Sequence, residues 1–316
     1  MLIGPSIHLF RVPLYRGRGQ ANVYFIDGSR LTLVDAGSGD EWCLHMIERE
    51  LERLNHRIED LELIVNTHAH PDHTGGDAEM QRRSGAEIAI HPLDARALQD
   101  PASFWTEEAT RVRELFTISG APEFTQFLTT HLLSRGPHRI KTPNRTEVST
   151  LLNEPSTIEL GHLTLRVIHT PGHTPGHISL YDPDSGIAFT GDHILQETTP
   201  NVQDLTSFVT SLNKILHLEP RVALPGHEEI IHEPKRRVLE LLEHHRGRER
   251  AFLNLLRESQ GKTLFQLSRE YWGYLSPRNL LLALQEARAH MQKLTQEGRV
   301  TEQWRGKILY YLLSEA

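Results

Sequence analysis

The chain is poor in cysteine, with Cys43 as the only one among its 316 residues. One cysteine excludes an intramolecular disulfide, so the fold cannot rest on the cross-links that small secreted domains use. No apolar run approaches the roughly 18 residues that a membrane-spanning helix requires. Residues 1–5 show neither the basic stretch nor the apolar segment of a signal peptide. We therefore expect a cytoplasmic protein without a membrane partner.

Positive charge is scarce over most of the chain. The net charge is −7, but residues 234–316 carry +6 and residues 1–233 carry −13. This asymmetry favours two units with different surfaces, a larger one over 1–233 and a smaller one over 234–316. The alternative is that the basic residues of the smaller unit only lie on solvated helix faces.

The larger unit alternates between short β-rich segments and amphipathic segments of helical period, which predicts the α/β class. The predicted strands are residues 7–14, 22–26, 30–34, 61–65, 86–90, 156–160, 163–169, 178–181, 187–190 and 221–224. The predicted helices of this unit are residues 40–54, 76–84 and 204–217.

Residues from about 93 to 151 interrupt this alternation with two or three helical stretches. We expect a helical insertion that forms a lid or a pocket wall, although a satellite core over a sheet edge explains most of its aromatic residues equally well. The aromatic residues that concentrate here are Phe104, Trp105, Phe116, Phe124 and Phe127. The candidate residues for a substrate pocket are Phe104, Trp105 and Phe116, with His177 from a later loop.

The smaller unit predicts helices over 234–257, 263–271 and 276–297, and then a hairpin of residues 299–304 and 307–312. Helix, helix and hairpin is the order of a winged-helix domain. The helix over 276–297 carries an apolar stripe that has to be buried against the larger unit or against a second copy of the chain. A homodimer is therefore one arrangement that the stripe allows.

The densest polar chemistry lies in the run Thr67-His68-Ala69-His70-Pro71-Asp72-His73. The run follows the predicted strand 61–65 and precedes Gly75-Gly76, which places it in a turn between a strand and a helix. The chain has 20 histidines, so a lone histidine carries little information. Four metal-coordinating side chains at this spacing, however, rarely occur together by chance and indicate a metal site.

Three more candidate ligands, His173, Asp192 and His227, each follow a predicted strand. Because strand ends meet at one edge of a sheet, loops at that edge can assemble one site from distant parts of the sequence. Seven ligands exceed the needs of one tetrahedral zinc. We therefore predict two divalent ions roughly 3.5–4 Å apart. Imidazole and carboxylate donors suit zinc, our first choice, and also iron or manganese.

The spaced run from His68 to His73, with its three downstream partners, resembles the signature of the metallo-β-lactamase superfamily. Val34-Asp35-Ala36-Gly37 is similar to the family's first motif, and the resemblance covers roughly residues 7–232 outside the insertion. It implies an αββα sandwich with the metals at one edge. The tail resembles the small winged-helix domain of one branch, which is similar to a β-lactamase-like endoribonuclease.

The resemblance also implies a role for each ligand. Asp72 would orient the attacking hydroxide as the catalytic residue, and Asp35 would support the site from behind the ligands. The implied ligands are His68, His70 and His173 for one ion, Asp72, His73 and His227 for the other, and Asp192 between the two ions.

Three functions are compatible with these features. The first is a dinuclear hydrolase that uses a metal-bound hydroxide on a small ester or thioester, which the acidic larger unit and the aromatic insertion favour. The second is a metal-dependent endoribonuclease with RNA as its partner, which the basic, winged-helix-like tail favours. The third is a DNA-binding regulator with a relic metal site, which the complete ligand set argues against. We expect the first.

Overall fold

The protein, described here from a computed structural model over residues 2–4, 6–14, 19–121, 144–257 and 259–314, is built around two β-sheets. The first sheet pairs its strands in chain order: β1 (Leu2–Gly4), β2 (Ile7–Pro13), β3 (Gln20–Ile26), β4 (Thr32–Val34), β5 (Leu63–Val65), β6 (Glu87–Ile90) and β7 (Thr150–Leu151). The second sheet contains β8 (Thr157–Glu159), β9 (Thr164–His169), β10 (Ile178–Asp182), β11 (Ile187–Gly191) and β12 (Val222–Pro225), also in chain order.

The helices and a small third sheet complete the described elements. The helices are α1 (Glu41–Glu52), α2 (Pro71–Thr74), α3 (Asp77–Ser84), α4 (Pro92–Gln99), α5 (Pro101–Ile118), α6 (Leu205–Leu218), α7 (Pro234–Arg257), α8 (Leu264–Trp272) and α9 (Pro277–Gln296), with a 3₁₀ turn at Ile58–Asp60. The third sheet is antiparallel and contains β13 (Lys262–Thr263), β14 (Val300–Arg305) and β15 (Ile308–Leu313), with β15 in the middle.

The two large sheets pack face to face over a shared apolar core. Tyr24 of the first sheet meets Phe189 of the second edge-on, with 5.3 Å between the ring centroids. Alternate residues of the strands point into this core, as the two-residue period of a strand requires. Further members of the core are Ile7, Leu9, Ile26, Val34, Val65, Val167, Leu180 and Leu224.

Helices cover the outer face of each sheet, so the architecture is the expected αββα sandwich. Helix α1 begins where Asp40 caps the backbone N–H groups of Trp42 and Cys43. It buries Ile47 and Leu51 against the first sheet, as do α3 and α4 with their own apolar residues. Helices α6 and α7 cover the second sheet with Phe208, Leu212, Val238, Leu241 and Leu242.

The C-terminal elements share one core with the end of α5. Leu115 and Phe116 of α5 are buried together with Phe252 of α7, Leu284 of α9 and Tyr311 of β15. The apolar stripe of α9 is therefore buried within the chain and does not require a second copy. The helices and the hairpin follow in the predicted order, and α7 has the predicted bounds.

The structure describes part of the predicted insertion, namely residues 93–121 and 144–151, and this part contains α5, most of α4 and β7. Phe124 and Phe127 lie outside the described residues. Within the described ranges, every helix is too short or too polar to cross a membrane.

Candidate metal centre

The candidate ligands lie at one edge of the two large sheets, with Asp72 and His73 in the short helix α2 and the other five in loops. The run His68–His73 follows β5, and His173 follows β9. Asp192 directly follows β11, and His227 lies two residues after β12. Strands β4 and β5 are parallel, as are β11 and β12, so the C-terminal ends within each pair point to the same edge. The fold thus brings together side chains that are far apart in the sequence.

One group of ligands contains three histidines. Nδ1 of His70 lies 3.0 Å from Nε2 of His68 and 2.9 Å from Nε2 of His173. Three ring nitrogens that face one another this closely have the spacing of ligands around a single ion.

A second group contains Asp72, His73 and His227. Nε2 of His227 lies 3.2 Å from Nε2 of His73 and 3.5 Å from Oδ2 of Asp72. This group offers two nitrogens and one oxygen, a donor set that suits zinc, iron and manganese.

Asp192 lies between the two groups. Its Oδ2 is 3.6 Å from Nε2 of His173 in the first group and 3.4 Å from Nε2 of His227 in the second. Its Oδ1 is 3.6 Å from Nε2 of His73. The structure therefore brings all seven predicted ligands into one cluster, with a carboxylate where two ions would be joined.

Asp35 lies behind the cluster and orients His73. Its Oδ2 accepts a hydrogen bond from Nδ1 of His73 at 2.8 Å, and its Oδ1 accepts one from the backbone N–H of Thr67 at 2.8 Å. The backbone of Asp35 is left-handed, with a φ of 63°, which is costly for a residue with a side chain. The hydrogen bonds hold this conformation and turn Nε2 of His73 towards the other ligands.

Main-chain carbonyls orient two further ligands. Nδ1 of His173 donates to the carbonyl of Asn201 at 2.7 Å, and Nδ1 of His227 donates to the carbonyl of Gln20 at 2.7 Å. In both cases Nε2 is left to face the cluster. Asn201 and Gln20 were not among the predicted site residues, and no sequence signal marks them, because every residue carries a backbone carbonyl.

Asp94 ties the first ligand loop to the loop that carries His173. Its Oδ2 accepts hydrogen bonds from the backbone N–H of Ala69 at 3.0 Å and from Oγ1 of Thr174 at 2.7 Å. Its Oδ1 accepts one from the backbone N–H of Gly176 at 2.8 Å. Asp94 was not among the predicted site residues either, because it lies in the predicted insertion and no sequence motif surrounds it.

Two glycines allow the ligand loops to approach one another. A Cβ atom on Gly226 would lie 2.4 Å from Oδ1 of Asp192, well inside van der Waals contact. A Cβ atom on Gly191, whose φ is 48°, would lie 2.7 Å from Nε2 of His177 and 2.8 Å from Oγ1 of Thr67. Glycine is therefore required next to Asp192 and next to His227.

The histidines of the two groups differ in protonation. Burial lowers the pKa of His68, His70 and His173, in the last case to about 4, so these imidazoles are neutral. Burial also opposes charge on His73 and His227, but the carboxylate of Asp192 outweighs it. The pKa of His73 is raised, and that of His227 is raised to about 10. Without an ion, the second group therefore holds protons where a cation would lie.

The donor set fits two divalent cations. The chain supplies five imidazole nitrogens and two carboxylates, grouped by distance into two sets that Asp192 links. Oδ1 of Asp192 is buried and has no hydrogen-bond partner among the residues described. A lone pair that is enclosed and unused next to imidazole donors is suited to metal coordination.

The cluster opens to solvent at Asp72. The side chain of Asp72 keeps 35% of its surface exposed, against 17% for His227 and 11% for Asp192. His73 is fully enclosed. A substrate would therefore reach the ligands from the side of Asp72.

Two of the predicted pocket residues are wrong. Phe116 is completely buried in the core that α5 shares with the C-terminal elements, so it cannot line a substrate pocket. His177 is also fully buried, and its ring stacks behind His68 with 5.2 Å between centroids. Its Nδ1 lies 2.9 Å from Oγ1 of Thr170, so His177 packs behind the ligands instead of lining a cavity.

The other two pocket residues lie at the start of α5. Phe104 packs against the core between the first sheet and its helices, and Trp105 meets Phe104 edge-on with 5.2 Å between ring centroids. Both residues are only partly buried. Their contribution to a substrate pocket stays a prediction.

Comparisons with known proteins place this cluster in context. The family model described as the metallo-beta-lactamase superfamily matches residues 16–227. A probable metallo-hydrolase of Bacillus subtilis, YqjP, is 25% identical over 313 residues, which are 95% of this chain and 96% of that protein. An acyl-coenzyme A thioesterase of Gallus gallus is 28% identical over 235 residues, which are 71% of this chain and 78% of that protein.

Solved structures agree with the whole architecture. The crystal structure of a metallo-beta-lactamase family protein from Thermus thermophilus is 28% identical in sequence and superposes with a TM-score of 0.82. The match covers 99% of this chain and 100% of that chain. The likeness thus includes the C-terminal elements as well as the sandwich.

Proposed function

The chain belongs to the metallo-beta-lactamase superfamily of hydrolases, and from this premise we propose that it uses two divalent ions to cleave a small ester or thioester. The observation that carries the proposal is the convergence of seven imidazole and carboxylate donors on the open edge of the sandwich, in two groups joined by Asp192.

We assign the ligands by these groups. One ion would be held by His68, His70 and His173, the other by Asp72, His73 and His227, and Asp192 would contact both. Zinc is the first choice for this donor set, with iron and manganese as alternatives. When bound, two such ions would polarise a substrate carbonyl and lower the pKa of a water molecule between them.

The chain's own residues prepare the centre for this chemistry. Asp72 is the most exposed of the carboxylates and is deprotonated, since the neighbouring His227 and the charge on His73 together outweigh burial and lower its pKa. It therefore offers an acceptor at the open face, where it orients the attacking water. Asp35, the carbonyl of Asn201 and the carbonyl of Gln20 fix the ring orientations from behind.

The substrate class is supported by charge and by likeness. Across the described ranges, no lysine or arginine forms an ion pair or a hydrogen bond with any of the seven side chains, so these side chains bring no paired cation that would favour a phosphodiester. The first 233 residues carry −13, which disfavours a polyanion. The similar Gallus gallus protein is a thioesterase, which favours a thioester over other acyl compounds.

The tail supports the same choice. We propose that residues 234–316 form a winged-helix-like unit that packs on the catalytic unit of residues 1–233 and does not read nucleic acid. Helix α9, the position of a recognition helix, is buried on most of its surface, including Leu284, Ala287, His290 and Met291.

We also propose a cytoplasmic location.

A panel of substrates tests the proposal. Metal-loaded protein is assayed on an acyl-coenzyme A, a simple carboxylic ester, a lactone and single-stranded RNA, beside an Asp72→Ala variant. We expect acyl hydrolysis that falls by more than about a hundredfold in the variant, a barrier increase of about 2.7 kcal/mol. Activity on RNA alone would replace the proposal with the endoribonuclease. Acyl hydrolysis that survives in the variant within about tenfold would remove Asp72 from its role.

A further inference from the structure

A second buried group of imidazole and carboxylate side chains lies outside the metal centre, where α7 packs against α9. It consists of His245 on α7 and of Glu286 and His290, which are one turn apart on α9. The three residues are 1%, 7% and 0% exposed. The hydrolytic chemistry proposed above uses none of them.

The three ligand atoms are spaced as metal donors are. Nδ1 of His245 lies 3.4 Å from Nε2 of His290, and the two nitrogens lie 3.6 and 3.3 Å from Oε1 of Glu286. Tetrahedral bonds of zinc length, about 2.0–2.2 Å, place neighbouring donors roughly 3.3–3.6 Å apart. The contacts between donors in the centre around Asp192 span 2.9–3.6 Å, so the same structure shows the same spacing at both places.

Hydrogen bonds account for only part of this convergence. Nε2 of His290 lies within hydrogen-bond distance of Oε1 of Glu286 and of Nδ1 of His245, whereas Nδ1 of His245 lies 3.6 Å from Oε1 of Glu286. Oε1 of Glu286 already accepts a short hydrogen bond from Nη1 of Arg248. A carboxylate oxygen has two lone pairs, so only one of the two imidazoles can also donate to it. The outer nitrogens, Nε2 of His245 and Nδ1 of His290, have no hydrogen-bond partner in the described part of the chain. One proton on Nε2 of His290 can serve both inner contacts, but the outer nitrogens of the two rings then stay buried and unpaired.

A cation in the middle of the triangle would contact all three inner donor atoms at once, while the outer N–H groups of the two rings keep no partner in the described part of the chain. It would take the lone pairs of both inner nitrogens and the free lone pair of Oε1, while Arg248 keeps its hydrogen bond to the carboxylate. Ligand carboxylates commonly accept such a hydrogen bond from a neighbouring side chain. Burial lowers the pKa of His245 to about 3, so its ring is neutral and its lone pair is available.

We propose that His245, Glu286 and His290 bind a third divalent cation, zinc by its donor set, with a water molecule as the fourth ligand. Two imidazoles and one carboxylate are a set that zinc accepts, and facing helices of bundles hold metals with inward glutamate and histidine side chains. Because the triad is buried, the ion has a structural role. It clamps α9 to α7 and so fixes the C-terminal elements on the sandwich.

Metal counting with matched variants of the full chain tests the site. Glu286→Gln keeps the shape of the side chain but removes the anionic ligand. Glu249→Gln is the control, because Glu249 is also 7% exposed on α7 and reaches α9 through Lys293 at 2.8 Å. After saturation with zinc and gel filtration, we expect the wild type and Glu249→Gln to retain one ion per chain more than Glu286→Gln. Hydrolytic activity should be equal in all three proteins.

The difference of one zinc ion between Glu286→Gln and Glu249→Gln does not depend on the hydrolytic proposal, since it is expected whether or not the hydrolytic centre binds metal. Equal zinc content in Glu286→Gln and Glu249→Gln would overturn the third site. If Glu286→Gln fails to fold, cadmium-113 NMR of the wild type decides the question without a variant. Three resonances are expected for two ions at the hydrolytic centre and one at the triad. A set that contains no resonance coupled to protons of His245 or His290 would overturn the site.

Discussion

At the scale of single residues, protonation decides how the hydrolytic centre takes up its ions. Asp192 raises the pKa of His73, and raises that of His227 to about 10, against the effect of burial. Because the two Nε2 atoms lie 3.2 Å apart, one of them carries a proton that points at the other at neutral pH in the metal-free protein, and this inner proton has to leave before an ion binds. We expect metal uptake at pH 7 to release protons and the affinity to rise with pH.

Calorimetric titration with zinc checks this expectation. Repeating the titration in two buffers of different ionisation enthalpy gives the number of protons released. For each proton released, the affinity for zinc rises about tenfold per pH unit at pH values below the raised pKa values. The histidines His68, His70 and His173 contribute nothing to this number, because they are already neutral. Uptake without proton release at pH 7 would contradict the assigned charge state.

Single residues also show what the sequence could predict. The convergence of the seven side chains could be predicted because histidine and aspartate at fixed spacing after strands have few other uses. The carbonyls of Gln20 and Asn201 could not, since their role depends on position alone. Phe116 was misplaced because an aromatic residue in an insertion fits a pocket wall and a core equally well until its neighbours are known.

At the scale of elements, α9 shows how one helix joins two cores. Leu284 is fully buried in the C-terminal core, whereas Leu282, two residues earlier, is 42% exposed. We expect Leu284→Ala to lower the free energy of unfolding by about 2–5 kcal/mol, since it loses burial and leaves a cavity. Leu282→Ala should change it by less than about 0.5 kcal/mol, as exposed substitutions do.

Chemical denaturation of the two variants checks this pair. Zinc content should be unchanged in both under native conditions, because neither leucine contacts a ligand. A similar loss of stability in both variants would mean that the exposed face of α9 is covered in solution, for example by a second copy of the chain.

The bounds of the elements were predictable where local pattern and fold agree. Helix α7 has the predicted bounds, whereas the apolar spacing predicted that α1 ends two residues later than it does. Leu54 continues the spacing because it packs against the first core from the turn after α1. Asn55, with a φ of 63°, lies outside the helical conformation. The partnership of α5 with the C-terminal helices left no local signal, because it joins segments more than a hundred residues apart.

At the scale of the whole molecule, a hydrogen bond links α9 to the loop whose backbone orients His173. Nδ2 of Asn201 donates to Oε1 of Gln285 on α9 at 3.3 Å, and the carbonyl of Asn201 orients His173. We expect Gln285→Ala to weaken the first ion's binding about threefold to tenfold, the effect of one hydrogen bond.

Gln296→Ala is the matched control. Oε1 of Gln296 on α9 accepts a hydrogen bond from Oγ1 of Thr206 on α6 at 2.7 Å, and Thr206 does not orient any of the candidate ligands. Competition with a chelator of known affinity measures the metal affinity of both variants. Equal affinities would mean that the loop of Asn201 holds His173 without help from the tail.

The spread of the ligands along the chain has a consequence for folding. Residues 68 to 73 belong to the first sheet's edge, while Asp192 and His227 belong to the second. Ions shared between them, as proposed above, would act as reversible cross-links that close loops of more than a hundred residues. Closing such loops in advance removes conformational entropy from the unfolded ensemble, as a disulfide does. The only cysteine of the chain is buried, so bound metal would be the cross-link between the two sheets. A chelator would then destabilise this protein as a reductant destabilises a disulfide-linked secreted domain.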